Sequence, residues 1–311
     1  MSLLKDALNN GAYAVGEVLP EEVLEYGGDQ YLESLFREAA RVGIPVIMHC
    51  EDPIIINQYS GPPRGGFEYH NAIRGGPRAE LACVHNVIRL VYRYGTKVHI
   101  THITLPQSIS MIRLSGLDIT FDVTPPHHML LSQEECLARA EKPAYCKVNP
   151  PLRDETTRRE LLTMFVRGEV PIVASDHAPH ADWEKDKPYD EAPPGIVGLE
   201  TTAPLLLTLW RRGFVDLGTV MRAIQERPAK FLGLNASIKQ GSCADLTIIN
   251  TKARHRIEPE KFRSKAKYSP FKGFEVDVAW WRQYSMASWH TLARGHIDDA
   301  TRKLLESSLP H

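Results

Sequence analysis

Short apolar runs alternate with amphipathic stretches over the first two thirds of this 311-residue chain, and this rhythm limits the folds it can adopt. The apolar runs are residues 12–18, 44–48, 97–101, 117–123 and 170–174. The stretches between them have helical spacing and cover residues 29–42, 78–94, 106–114, 132–140 and 156–167. Strands and helices that alternate in this way form a parallel sheet covered by helices. The sequence therefore predicts an α/β fold of the TIM-barrel type.

The pattern changes after a predicted pair of helices at residues 201–212 and 217–226. A short strand is predicted at residues 244–250, and residues 254–280 have no helical period. We therefore predict two parts: a partial barrel over residues 1–234, and a small C-terminal β-sandwich portion with a tail over residues 235–311. The tail from residue 280 shows no alternating strand, and residues 298–307 are predicted to be helical.

Charge and cysteine content exclude several classes of protein. The chain has 37 basic and 38 acidic side chains, so bulk charge does not favour binding to nucleic acid or to an anionic membrane. No apolar run approaches the ~18 residues that a membrane span requires. The five widely spaced cysteines are expected to be reduced thiols. These features predict a soluble cytoplasmic protein.

Residue types that bind metals lie at the ends of four predicted strands. Glu17 lies in the first apolar run, His49 ends the second, His102 follows the third and Asp176 follows the fifth. The carboxyl ends of parallel strands converge on one mouth of a barrel, so these side chains are expected to meet there. Nitrogen and oxygen ligands suit Zn²⁺ or a similar divalent ion. The sequence thus predicts a site for one or two such ions.

Each of these residues also has a structural alternative. A lone histidine at a strand end is commonly a hydrogen-bonded structural residue, and Glu17 is either a bridging ligand or part of an exposed edge strand. His99 lies three residues before His102 and is predicted to point elsewhere. His127 and His128 are either further ligands or solvated loop residues.

The segment from Ala174 to Lys185 resembles the second signature of the dihydroorotases, a family of metal-dependent cyclic amidohydrolases in the amidohydrolase superfamily. The signature consists of a small residue (Ala174), Ser-Asp (175–176), any residue (177), Ala-Pro-His (178–180) and a lysine five positions further on (Lys185). Matching segments occur around it in the expected order, and these are His49–Asp52, His102–Thr104, Asn149–Arg153, Pro194–Ile196, Gly198–Thr201, Gly241–Leu246 and Ser269–Gly273. The resemblance covers about residues 16 to 273.

The resemblance implies reversible hydrolysis of dihydroorotate to N-carbamoyl-aspartate, a step of pyrimidine biosynthesis, by metal-activated water. It implies that His49 and His102 bind the second metal, and that Asp176 binds the first metal and also transfers the proton. It implies that four further residues hold the substrate's carboxylate and ring amide, and these are Asn149, His180, Pro194 and Gly195. The implied cofactor is Zn²⁺.

The chain departs from the family pattern at its start. Family members have a His-x-His pair at the end of the first barrel strand, whereas no two of the 13 histidines here are two positions apart. The matching order begins at strand four, so we expect an N-terminally truncated barrel of strands four to eight with two open sheet edges. Glu17 falls where the family has a bridging carboxylated lysine. We expect such a chain to have little or no activity of its own.

Two other functions are compatible with these residues. The chain could be another cyclic amidohydrolase, such as an allantoinase or hydantoinase, although Ala-Pro-His at residues 178–180 favours a substrate with a carboxylate. It could also be a non-catalytic homologue that binds a partner protein. The partners that the resemblance implies are a second copy of the chain and aspartate transcarbamoylase, besides the small-molecule substrate.

Overall fold

A computed structural model describes residues 3–56, 58, 65–124, 128–240, 242 and 244–287. Its main feature is one sheet of parallel strands in the order β1-β2-β3-β4-β5. The strands are β1 (Val15–Val18), β2 (Val46–His49), β3 (Val98–Thr101), β4 (Ile119–Val123) and β5 (Ile172–Val173). They coincide with the predicted apolar runs. The predicted parallel α/β fold is therefore confirmed, as an open five-stranded part of a barrel.

Helices connect and cover these strands. They are α1 (Leu3–Asn9), α2 (Pro20–Glu25), α3 (Asp29–Val42), α4 (Pro53–Ile56), α5 (Gly66–Ile73), α6 (Gly76–Tyr94), α7 (Pro106–Ser115), α8 (Gln133–Arg139), α9 (Glu155–Val166), α10 (Asp182–Lys185), α11 (Thr202–Arg211), α12 (Leu217–Met221) and α13 (Arg227–Phe231). Short 3₁₀ turns cover Pro143–Cys146 and Pro259–Lys261, and a π turn covers Arg222–Glu226. Within the described residues, no helix combines the length and the apolarity that crossing a membrane requires.

Helix α3 shows how the sequence specifies these elements. Its buried residues are Leu32, Leu35, Phe36 and Ala39, which recur at the three- and four-residue intervals of one helix face. The helix ends where Gly43 adopts a left-handed conformation with φ of +81°, which glycine adopts without strain. The predicted helix at residues 29–42 has the same bounds.

The two faces of the sheet have different chemistry because side chains alternate along a strand. One face carries apolar pairs in register, such as Val46 beside Val98 and Met48 beside Ile100, all of them buried in the main core with helices α3, α6 and α7. The other face carries polar residues, and these include Glu17, His49, His99, Thr101, Thr120 and Asp122. This polar face ends at the candidate site described below.

The C-terminal residues form two small antiparallel pairs. β6 (Ala244–Asn250) pairs with β9 (Ala279–Ala287), and β7 (His255–Arg256) pairs with β8 (Glu275–Val276). We predicted no strand after residue 280, and β9 shows that this prediction was wrong. The ladder between β6 and β9 has two register shifts, and such irregularities break the strict alternation that identifies a strand in a sequence. The predicted helix at residues 298–307 lies outside the described residues.

A second apolar core joins the C-terminal part to loops of the barrel. Tyr268 and Phe271 are buried in it together with Tyr145, Val148 and Ile196. The division into residues 1–234 and 235–311 remains our proposal. If it holds, the second part is packed directly on loops of the first.

One expectation about the cysteines was wrong. Cys136 and Cys146 form a disulfide, and their Cα atoms are 5.9 Å apart. Helix α8 and the 3₁₀ turn that follows it fold back on each other, and this proximity is not visible in the sequence spacing. Cys50 and Cys83 are free and buried. Cys243 lies outside the described residues.

Candidate functional site

Three predicted ligands meet at the carboxyl ends of β1, β2 and β3. The Glu17 Oε1 atom accepts hydrogen bonds from His49 Nδ1 at 3.2 Å and from His102 Nε2 at 2.7 Å. One ligand atom from each residue lies within 4.8 Å of the other two. Two imidazole nitrogens and a carboxylate oxygen in this arrangement fit a divalent metal ion once the histidines lose their protons.

The electrostatics of this group follow from burial and charge. Burial opposes ionisation of Glu17, but the hydrogen bonds from His102 and His49 outweigh it and lower the pKa of Glu17 to about 2. Burial also disfavours a charged His49, yet its hydrogen bonds to Glu17 and Glu51 raise the pKa of His49 to about 9. Without a metal, His49 therefore carries the positive charge that the carboxylates of Glu17 and Glu51 attract.

Glu51 and Arg74 surround His49 on the side away from Glu17. The His49 Nε2 atom donates to Glu51 Oε2 at 2.7 Å, and Arg74 donates to the same oxygen from its Nε at 3.0 Å and also from its Nη2. Arg74 Nη1 donates to Glu21 at 2.8 Å. A carboxylate on the second nitrogen of a histidine fixes its orientation and makes it a better metal ligand. Glu51 therefore leaves Nδ1 of His49 directed towards Glu17 and the metal position.

Asp122 of β4 holds His102 in place. Its Oδ1 accepts the backbone N–H of His102 at 2.7 Å, and its Oδ2 accepts from His99 Nε2 at 2.8 Å and Thr101 Oγ1 at 3.0 Å. His102 has φ of +42°, a conformation that residues other than glycine rarely adopt. The bond to Asp122 supports this strained backbone. His99 is thus directed to Asp122 and not to Glu17, as its place in the strand predicts.

Asp176 follows β5 and is the other non-glycine residue with positive φ in the described part of the chain, at +44°. Strained backbone of this kind is concentrated at functional sites. Asp176 lines the cavity that contains the three ligands, but its carboxylate is outside the close group formed by Glu17, His49 and His102.

The cavity has a volume of about 380 Å³ and collects residues from several loops. Its lining residues are Glu17, Leu19, Glu21, His49, Arg74, His102, Asn149, Asp176, Ala178, Pro194 and Gly195. All the predicted site residues except His180 are among them. The Oδ1 atom of Asn149 is buried and has no hydrogen-bond partner among the described residues. It is therefore available to a ligand.

The wall formed by Pro194 and Gly195 is close to the loop that follows β5. Gly195 has φ of +149°, and a Cβ atom added to it would lie 2.2 Å from the carbonyl oxygen of Ala178. Only glycine fits this position. His180 is not among the residues that line the cavity, and its Nε2 donates to the Pro194 carbonyl oxygen at 2.8 Å.

The remaining histidine candidates are separate from the three ligands. His128 is buried, and its Nε2 donates to the Pro150 carbonyl oxygen at 3.0 Å. His127 lies outside the described residues.

Sequence reasoning gave no role to Glu51, Arg74 or Asp122. The signal for Asp122 was present, because a carboxylate within an apolar strand needs buried partners.

Curated proteins of known name are similar to this chain in sequence. The chain is 36% identical over 260 residues to a protein named dihydroorotase from Pyrobaculum aerophilum, an alignment that covers 84% of this chain and 60% of that one. It is 37% identical over 247 residues to a dihydroorotase from Staphylococcus epidermidis, covering 77% of this chain and 57% of the relative. The chain is thus similar to proteins named dihydroorotase over at least three quarters of its length. No family model matches it.

Solved structures share the fold of this chain. The L-hydantoinase (dihydropyrimidinase) from Arthrobacter aurescens superposes with a TM-score of 0.78 at 23% identity, over 92% of this chain and 66% of the other. The dihydropyrimidinase from Brevibacillus agri gives the same TM-score at 21% identity, over 92% of this chain and 65% of the other. The chain spans about 60% of the length of the curated relatives it matches.

Proposed function

We propose that this chain forms the catalytic region of a dihydroorotase, which interconverts dihydroorotate and N-carbamoyl-aspartate in pyrimidine biosynthesis. One observation carries the proposal: a single cavity contains the three-residue metal group together with Asn149, Asp176 and Gly195. Relatives named dihydroorotase at 33–37% identity support the choice of substrate.

We propose that His49, His102 and Glu17 hold a zinc ion, with Glu17 able to bridge to a second one. A divalent ion held by these residues would supply an acidified water and would polarise the ring carbonyl of the substrate. The chain supplies the orientation of both histidines, through Glu51 and Asp122 respectively. Because a buried Nδ1 of His49 and a buried Nε2 of His102 face the same carboxylate, the site is arranged before any ion binds.

Proton transfer is assigned to Asp176. Hydrolysis of a cyclic amide requires one group that removes a proton from water and returns it to the leaving nitrogen. Asp176 lines the same cavity as the metal group, and its backbone has a positive φ. Asn149 offers its unpaired Oδ1 to a ring N–H of dihydroorotate. The wall at Pro194 and Gly195, supported by His180, borders the carboxylate end of the substrate in this proposal.

Homo-oligomerisation, association with aspartate transcarbamoylase and a cytoplasmic location are part of this proposal. They rest on the family resemblance and on the balanced charge of the chain.

The test measures metal content and turnover on the same preparations. Two proteins are loaded with zinc. One is the chain itself, and the other also includes whatever its reading frame encodes upstream. They are assayed for hydrolysis of dihydroorotate, hydantoin and dihydrouracil. We expect bound zinc in both forms, and hydrolysis of dihydroorotate in preference to the two substrates that lack a carboxylate.

The matched variants are His102→Ala, which removes a ligand, and Asp176→Asn, which keeps the shape and removes the base. His102→Ala should lose zinc and turnover together. Asp176→Asn should retain zinc at the Glu17 group and lose turnover by more than about a hundredfold. Preferential hydrolysis of hydantoin would favour the hydantoinase alternative. Absence of both zinc and turnover in the two forms would favour a non-catalytic, partner-binding protein.

A further inference from the structure

Three consecutive carbonyl groups, those of Pro193 and of the wall residues Pro194 and Gly195, each accept a hydrogen bond from a different side chain. Lys185 Nζ donates to the Pro193 carbonyl oxygen at 3.0 Å, and His180 Nε2 donates to that of Pro194 at 2.8 Å. The third bond reaches the next residue of the wall, where the Tyr268 hydroxyl donates to the Gly195 carbonyl oxygen at 3.3 Å. We call Lys185, His180 and Tyr268 the carbonyl clamp.

Tyr268 is the member that comes from farthest along the chain. It lies 73 residues after Gly195, in the segment that forms the second core. Its hydroxyl also accepts the backbone N–H of His180 at 3.1 Å, so one oxygen joins two members of the site. Its ring stacks on that of Tyr145, with centroids 5.0 Å apart, and the Lys185 Nζ lies 5.4 Å from the ring centroid.

The chemistry of Tyr268 suits a permanent donor. Only 2% of its surface is exposed, and burial raises the pKa of its hydroxyl to about 12. The phenol therefore keeps its proton near neutral pH. The buried hydroxyl both donates and accepts a hydrogen bond, and it therefore fixes the position of Gly195 relative to that of His180.

The clamp acts on a wall that is already restrained on its other side. The Gly195 N–H donates to the Lys147 carbonyl oxygen at 2.8 Å, and the N–H of Ala178 donates to that of Ile196 at 3.1 Å. With these bonds in place, the clamp determines how far the wall at Gly195 projects into the cavity. Loss of one clamp bond would let the wall move without unfolding the core.

We propose that Tyr268 is a positioning residue for the substrate wall, so that the C-terminal part of the chain helps to shape the active-site cavity. The proposal rests on the proposed function, because the wall is assigned to the substrate there. Tyr268 does not touch the reacting atoms. Its effect passes through Gly195 and His180, and it should appear as weaker substrate binding and not as slower chemistry.

The experiment compares Tyr268→Phe, which removes the hydroxyl and keeps the ring stack, with Tyr145→Phe as a matched control. Tyr145→Phe removes a hydroxyl from the other ring of the stack and leaves the wall carbonyls bonded. Lys185→Met is a second, independent break in the clamp. Hydrogen exchange of peptides covering residues 192–198 is measured without ligand. Dihydroorotate and N-carbamoyl-aspartate binding is then measured by calorimetry on zinc-loaded protein.

We expect exchange at residues 192–198 to be about tenfold faster in Tyr268→Phe and in Lys185→Met than in Tyr145→Phe. We expect binding of both compounds to weaken by about three- to tenfold in Tyr268→Phe, with kcat changed less than twofold where turnover is measurable. Equal exchange in Tyr268→Phe and Tyr145→Phe would overturn the clamp. Faster exchange with unchanged binding would overturn the positioning role.

The two proposals fail in different ways. If the wild-type protein binds neither compound, the proposed function fails and with it the substrate role of the wall. The exchange data, which need no ligand, then decide separately whether Tyr268 holds the loop at residues 193–195.

Discussion

The hydrogen bond between His49 and Glu51 gives a sharp prediction about metal affinity. Glu51 is 1% exposed, and its Oε2 accepts from His49 Nε2 at 2.7 Å and from Arg74. Glu51→Gln keeps the shape but removes the charge that orients His49. Carboxylates in this position typically contribute about 10- to 100-fold to metal affinity, or about 1.4 to 2.7 kcal/mol. We therefore expect the zinc dissociation constant of Glu51→Gln to rise by this factor.

The assay is a zinc titration against a competing chromophoric chelator, with circular dichroism to establish that each variant is folded. Glu21→Gln is the matched control, because Glu21 also accepts from Arg74, at 2.8 Å, but its side chain is 63% exposed. An exposed ion pair contributes at most about 1 kcal/mol, so this control should change zinc affinity less than about fivefold. Equal effects of the two variants, or no effect of Glu51→Gln, would refute the orienting role of Glu51.

Three further predictions follow from the same contacts. Despite burial, hydrogen bonds to Glu17 and Glu51 raise the pKa of His49 to about 9, so below that pH an ion must displace a proton from His49. Zinc affinity should therefore fall about tenfold per pH unit from pH 8 to 6, as measured by chelator competition. Asp122→Ala leaves the His102 N–H unpaired, so chemical denaturation should show about 3 kcal/mol lower stability, together with weaker zinc binding; unchanged zinc affinity would contradict the supporting role of Asp122. Burial lowers the pKa of His70 to about 4, so the unfolded chain binds more protons than the folded one between pH 6.5 and 4. Stability should fall over this range by about 3 kcal/mol, and the fall should disappear in His70→Gln.

The fold was predictable where one physical effect dominates. Parallel strands covered by helices are apolar over four or five residues, and this made all five strands visible. Helix α3 was predicted to the residue because apolar spacing and a terminal glycine agree there. Strand β9 was missed because its partner ladder is irregular. Its pairing depends on β6, which is almost thirty residues away, and local alternation does not record such a partner.

The proximity of the three candidate ligands was predictable for a geometric reason. Strand ends of a parallel sheet converge, so Glu17, His49 and His102 could be placed together from their positions alone. The choice of His102 over His99 followed from the same geometry. The residues that orient these ligands were not predictable, since Glu51 and Asp122 act through specific hydrogen bonds, and many buried carboxylates would have been consistent with the sequence.

His180 shows what a motif leaves undetermined. The sequence predicts it as a donor to the substrate's carboxylate, yet its Nε2 already donates to the Pro194 carbonyl oxygen, which can only accept. In a neutral imidazole the remaining Nδ1 has no proton and is itself an acceptor. Direct donation to a carboxylate therefore requires a second proton on the ring. The motif identifies the residue, but the structure shows that its Nε2 proton already supports the wall, so only a doubly protonated ring could bind the anion as well.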